Sequence, residues 1–197
     1  MNYFELLKNL IVEKNGFVVT SDLTERGIPR EYLRRAVSQG ILEKIDRGAY
    51  IAPNTIDDDM YRLQMRFKSI IYSHDTALYF NGLSDRDPIE YTVTVYSGYR
   101  TTKLKENGLK VFSVQKDLLD VGVIRKHTAF GHEIQVYNSE RALCDCIRNR
   151  NQMDIAIITD ALKRYTASKQ KNIPLLMRYA EMFKVDTILR GYLEVLL

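Results

Sequence analysis

The sequence predicts an α+β protein: an N-terminal winged helix-turn-helix, then a larger α+β domain with a small mixed sheet and a helical C-terminal half. Three observations carry that expectation. The first 55 residues read as helix, helix, tight turn, helix and hairpin in that order. Three later runs are rich in β-formers. From Ser139 onward the apolar residues recur at helical spacing. The polar run Asn54 to Asp59, with its three consecutive aspartates, predicts the boundary, giving domains 1–55 and 56–197.

Phe4, Leu7, Leu10 and Ile11 lie on one face of a first helix over 2–14, which Asn15-Gly16 ends. After the apolar stretch Phe17-Val18-Val19, the side-chain oxygen of Thr20 or Ser21 is expected to cap a second helix running to Arg26, with Gly27 as its stop. Pro29 suits the first turn of a third helix reaching Gln39. At 100° per residue, Tyr32, Leu33, Ala36 and Val37 share one arc of that helix. Arg30, Glu31, Arg34, Arg35, Ser38 and Gln39 share the opposite one. Gly40 closes the helix, and Ile41 to Ile45 and Ala49 to Ile51 flank an Asp46-Arg47-Gly48 turn as a β-hairpin.

In a winged helix the third helix enters the major groove, where arginine pairs with guanine and serine bonds other base edges. Arg30, Arg34, Arg35 and Ser38 are therefore the expected base-reading residues, and Lys44 and Arg47 on the wing the expected phosphate contacts. Net charge is +4, but residues 1–56 hold 8 Lys/Arg against 7 Asp/Glu, so the reading rests on where the charges sit. A solvated helix face and a protein-interaction winged helix are the competing accounts.

Beyond the link, a helix is expected over Met60 to Ile71 and another over Asp75 to Phe80. Strands are expected over Tyr91 to Tyr96, Lys110 to Val114 and Glu133 to Tyr137. Helices follow at 139–150, 154–166, 173–183 and 187–196, with Asp154 and Asn172 as caps and Pro174 near a helix start. Tyr99, Arg100, Lys103 and Lys105 read as a basic loop after a strand.

Enzyme chemistry finds little purchase. There is no phosphate-cradling P-loop, no Gly-x-Ser-x-Gly elbow, and no Asp-x-Lys or Glu-x-Lys nuclease pair. Asp85 and Asp87 have Asp-x-Asp spacing but lie in a Pro-terminated loop, which reads as a capping role. His127 and His132 have no cysteine or carboxylate at metal-ligand spacing, so neither a metal nor a cofactor is expected. Cys144 and Cys146 point about 200° apart on one helix and read as buried free thiols of a reducing cytoplasm. No apolar run approaches the roughly 18–20 residues of a membrane span, and the N-terminus lacks the features of a signal peptide, so a cytoplasmic protein is expected.

Two stretches carry a family resemblance. Gly27-Ile28-Pro29-Arg30-Glu31-Tyr32-Leu33-Arg34-Arg35, with Leu42 to Tyr50, is similar to the N-terminal domain of AbiEi-type antitoxins of abortive-infection (type IV) toxin–antitoxin systems. Ser73 to Tyr79, Gly82 to Arg86 and Asn138 to Asp145 resemble segments of that family's C-terminal domain, Arg148-Asn149-Arg150 continuing the pattern. The resemblance implies a repressor that binds inverted repeats of double-stranded operator DNA before its own genes. It also implies a C-terminal domain that counteracts a nucleotidyltransferase-type toxin, usually without a stable complex. His74, Glu140, Arg141 and Asp145 are then the motif residues of the antitoxin domain. Read on their own, Glu140 favours a helix N-terminus and Arg141 and Asp145 form an i, i+4 pair. These three suit either an internal polar network or an antitoxicity surface. The alternative functions are an interaction module and a regulator of unrelated genes with a ligand-sensing C-terminal domain.

Overall fold

A computed structural model describes residues 2–196. It is α+β and divides into two compact units: the chain up to Lys68 with His127–Ile134, and Ser69–Lys126 with the described chain from Gln135 on.

In the first unit the order is α1 (Tyr3–Glu13), β1 (Phe17–Val19), α2 (Thr20–Glu25), α3 (Glu31–Ser38), β2 (Glu43–Asp46), β3 (Ala49–Ile51) and α4 (Asp59–Arg66). Asn2 caps α1 by accepting the amide protons of Phe4 and Glu5. The short apolar stretch is a strand, and the small sheet has the order β1-β3-β2, antiparallel throughout. That sheet with three helices is the winged helix. Leu7, Leu10 and Ile11 of α1, Val18, Leu23, Ile28, Leu33, Ala36 and Leu42 form one buried cluster. α1 and α3 thus turn most of the apolar face that their spacing marks out into this cluster.

Three local expectations are corrected. Neither Thr20 nor Ser21 caps α2. Val19 holds the cap position, and the Asp22 carboxylate reaches back to accept its amide proton at 2.8 Å. Thr20 Oγ1 instead donates to the Gly48 carbonyl at 3.2 Å, tying α2 to the wing turn. Val37, assigned to the apolar arc of α3, is 38% exposed, because the helix ends one residue later. The run Asp57 to Asp59 is not merely a polar link: Asp58 is buried and caps α4 through the Tyr61 amide at 3.1 Å.

The remaining elements are β4 (Ile71–Tyr72), α5 (His74–Phe80), β5 (Thr92–Tyr96), α6 (Thr102–Glu106), β6 (Lys110–Val114), β7 (Val123–His127), β8 (Glu133–Tyr137), α7 (Ser139–Arg148), α8 (Ile155–Ala167), α9 (Ile173–Met182) and α10 (Asp186–Leu196), all in the second unit but for the last residue of β7 and the first two of β8. The sheet order is β6-β5-β4-β8-β7; β5 runs parallel to β6 and antiparallel to β4, and β4 parallel to β8, a mixed sheet. The helix expected to reach Ile71 stops at Arg66, and Ile71 is in a strand. The basic segment after β5 is not all loop, since Lys103 and Lys105 ride on α6. Asp154 and Asn172 cap α8 and α9 as expected. α7 is buried at every residue from Glu140 to Ile147, so it is the central helix of this unit and not an amphipathic surface one. Cys144 and Cys146 are buried free thiols, and burial pushes both well above the ordinary thiol range.

Candidate nucleic-acid interface

The third helix owes its position to the turn before it. Gly27 takes φ +66°, the left-handed conformation that ends α2, and the Ile28 amide returns to the Leu23 carbonyl at 2.8 Å. Ile28 and Leu33 are then buried, which turns the opposite face of α3 to solvent. Arg30, Arg34, Arg35 and Ser38 are all exposed on it.

Their electrostatic states differ. Arg30 and Arg34 form no ion pair among the described residues. Arg35 lies 3.7 Å from Glu31 and 5.1 Å over the Tyr32 ring, an exposed pair worth only a few tenths of a kcal/mol and readily exchanged for a phosphate or a base. Ser38 donates its hydroxyl to the Arg35 carbonyl at 2.8 Å, which leaves it acceptor capacity. On the wing Lys44 and Arg47 are exposed. Asp46 is held by Arg66 at 2.6 Å, so one carboxylate beside Arg47 is already neutralised. The turn needs Gly48 at φ +78°; a Cβ there would also sit 3.0 Å from Thr20 Oγ1.

Residues 5–53 match the family model described as the AbiEi antitoxin transcriptional regulator. The matched residues lie wholly within the first unit, whose sequence is similar to that family over this segment. The model describes antitoxins and transcriptional regulators, and the matched segment holds every residue of the α3 and wing surface. Among solved structures, the crystal structure of RV2827C protein from Mycobacterium tuberculosis resembles the chain with a TM-score of 0.60. It is 14% identical and the match covers 92% of this chain and 72% of that one, a likeness of fold. No curated protein matches the chain.

The four motif residues of the second unit lie in its interior. Arg141 is fully buried, with its guanidinium 4.0 Å from the ring centres of both Tyr137 and Phe183. Nε donates to Asp145 Oδ2 at 2.9 Å, and Nη1 donates to the carbonyls of Leu118 and Val121, each at 2.8 Å. Burial raises the Asp145 carboxyl to about 6 against the pull of Arg141. Glu140 accepts the Tyr165 hydroxyl at 2.8 Å. Gly122 belongs to this cluster and was not singled out in the sequence: at φ +79° a Cβ would lie 2.7 Å from Arg141 Cβ. An Asp-x-Gly-like turn is the only local signal, and it does not point to Arg141.

His74 is buried at φ +46°, stacked 3.8 Å from the Phe112 ring. Asn149 Nδ2 donates to its Nε2 at 3.0 Å, which places the proton on Nδ1, 2.9 Å from Ser73 Oγ. Ser73 Oγ also accepts from Thr94 Oγ1 at 2.9 Å. Burial, then the charges of Arg141, Lys110 and Arg148, lowers the His74 pKa from 6.5 to about 3. The unfolded chain therefore binds the proton first as pH falls. Stability is full above 6.5 and is lost as pH drops from 6.5 towards 3. His74→Asn keeps the left-handed backbone accessible and removes the titration. The stability difference between parent and variant should shrink by about 2 kcal/mol from pH 7.5 to pH 5 in urea melts. A pH-independent difference would mean that this ring is not held neutral.

Proposed function

We propose that the first unit is an operator-reading winged helix, through which the protein represses its own operon. In this reading α3 enters the major groove with Arg30, Arg34 and Arg35 against base edges, Ser38 at the end of the contact. Lys44 and Arg47 hold phosphates from the wing. The supporting observation is the joint exposure of these cations on one helix and its neighbouring hairpin, while the apolar face of that helix is buried. A module of this size offers limited contact area, so two copies on an inverted repeat are the expected bound state.

The second unit is proposed to supply the antitoxin activity, counteracting a nucleotidyltransferase-type toxin without a stable complex, and to carry no catalysis of its own. Buried His74, Glu140, Arg141 and Asp145 then act as its frame: side chains without exposed surface do not touch a partner. The place of action is proposed to be the cytoplasm, where the DNA is; no helix among the described residues is long and apolar enough to cross a membrane.

Arg34→Ala is expected to weaken binding to DNA upstream of the gene by about 1–3 kcal/mol and to relax base preference, with stability unchanged. Mobility shifts against scrambled competitor, over a range of salt, provide the test. Equal affinity of parent and variant would remove α3 from the interface. Absence of any preference over competitor, together with co-elution with the toxin, would favour the interaction module.

A further inference from the structure

We propose that the second unit binds a small zwitterion of the amino-acid class with an apolar side chain, in a cavity walled by α5, β5, β6, α8 and the loop between α5 and β5. The cavity measures about 320 Å³, at the lower end of small-molecule sites.

Three elements bring its polar groups together. Asp75 comes from the first turn of α5 and Thr92 from the start of β5. Lys110 starts β6 and is the register partner of Thr92 across parallel strands. The Thr92 amide donates to Thr76 Oγ1 at 2.8 Å, which fixes β5 against α5. Thr92 is 1% exposed, yet its hydroxyl has no hydrogen-bond partner, and neither has the buried Oδ1 of Asp75. Two unsatisfied oxygens lining one cavity weaken the fold and gain their purpose from a donor-rich ligand. Lys110 Nζ donates to the Gln152 carbonyl at 3.2 Å and keeps further N–H groups to offer.

The charge pattern selects the ligand. Asp75 Oδ1 and Thr92 Oγ1 present two acceptors to an ammonium group. Lys110 and Arg86 present cationic donors to a carboxylate. Asp87 and Glu90 also line the cavity, so its carboxylates outnumber its cations and a polyanion such as a nucleotide is disfavoured. Ile157 and the fully exposed Ile89 supply apolar surface for the ligand's side chain. Among the described residues no carboxylates are grouped to hold a metal ion, which sets this cavity apart from a cation site.

The test is thermal unfolding of the full chain with millimolar L-leucine, L-isoleucine or L-methionine, compared with isoamylamine and with isocaproate. At least one amino acid should raise Tm by about 2–4 °C in a concentration-dependent way, and the amine and the acid alone should not. Asp75→Asn removes a half-buried charge and Thr92→Val a buried orphan hydroxyl, so both ligand-free variants should melt no lower than the parent. Both should lose the ligand-induced rise. No shift with any of the amino acids would overturn the proposal. So would an equal shift with the amine or the acid alone, or a shift retained in both variants.

Discussion

Asp145→Ala should destabilise the protein by about 3–5 kcal/mol, as urea unfolding at pH 7.5 would read it. The size follows from what is left behind. Arg141 has no exposed surface, and Asp145 is its one anionic partner among the described residues. Two carbonyls and two aromatic rings remain after the substitution, and they solvate a guanidinium less well than water does. Asp145→Asn should fall between parent and alanine, because it keeps an acceptor and loses the charge. The pair Arg141→Met with Asp145→Leu should recover much of the loss, since a buried ion pair replaced by packed apolar groups is often neutral. A cost below about 1 kcal/mol for Asp145→Ala would show that water or a shifted carboxylate reaches Arg141, and the network would not be the frame proposed here.

The parts that were legible are those whose signals are local. The buried face of α1, the Gly27 stop, the polar arc of α3 and the Asp-x-Gly wing turn are each written within a few positions, and the structure has them. The same holds for β6, β8, and the Asp154 and Asn172 caps. What escaped depends on distant partners. Ile71 and Tyr72 continue the apolar pattern of α4, and only pairing with β5 and with Val136 of β8 makes them a strand. For the stripe of Glu140, Arg141 and Asp145 on α7 the residues alone left an internal network and a surface both open; Tyr165 and the carbonyls of Leu118 and Val121, all distant in sequence, make it internal. The cavity at Asp75 joins residues up to 82 positions apart, from Asp75 to Ile157, and no spacing rule links them.

The aspartate run shows the same effect at its strongest, and it sets the second large expectation. Asp58 is 1% exposed and serves three donors: the Tyr61 amide at the head of α4, the Thr128 hydroxyl, and His132 Nδ1 at 2.9 Å. His132 in turn stacks on Tyr61 at 4.5 Å, and Tyr61 meets Phe17 edge-on at 4.9 Å. Burial first, then Asp22 and Asp58, pushes the Tyr61 hydroxyl up to about 12. Asp58→Ala removes a helix cap worth about 1 kcal/mol and leaves two buried donors unpaired at about 1–3 kcal/mol each, so a total loss of about 3–7 kcal/mol is expected. Asp58→Asn should retain the cap and lose the charge-assisted bond to His132, costing about half as much. Hydrogen exchange locates the damage: the amides of Thr128, Gly131 and His132, which bond within their own turn, should lose protection first. Arg34→Ala supplies the opposite pattern, weaker DNA binding with unchanged exchange. If Asp58→Ala left the turn protected and cost only the about 1 kcal/mol of a lost cap, the carboxylate would not hold the turn, and its burial would reflect α4 capping alone.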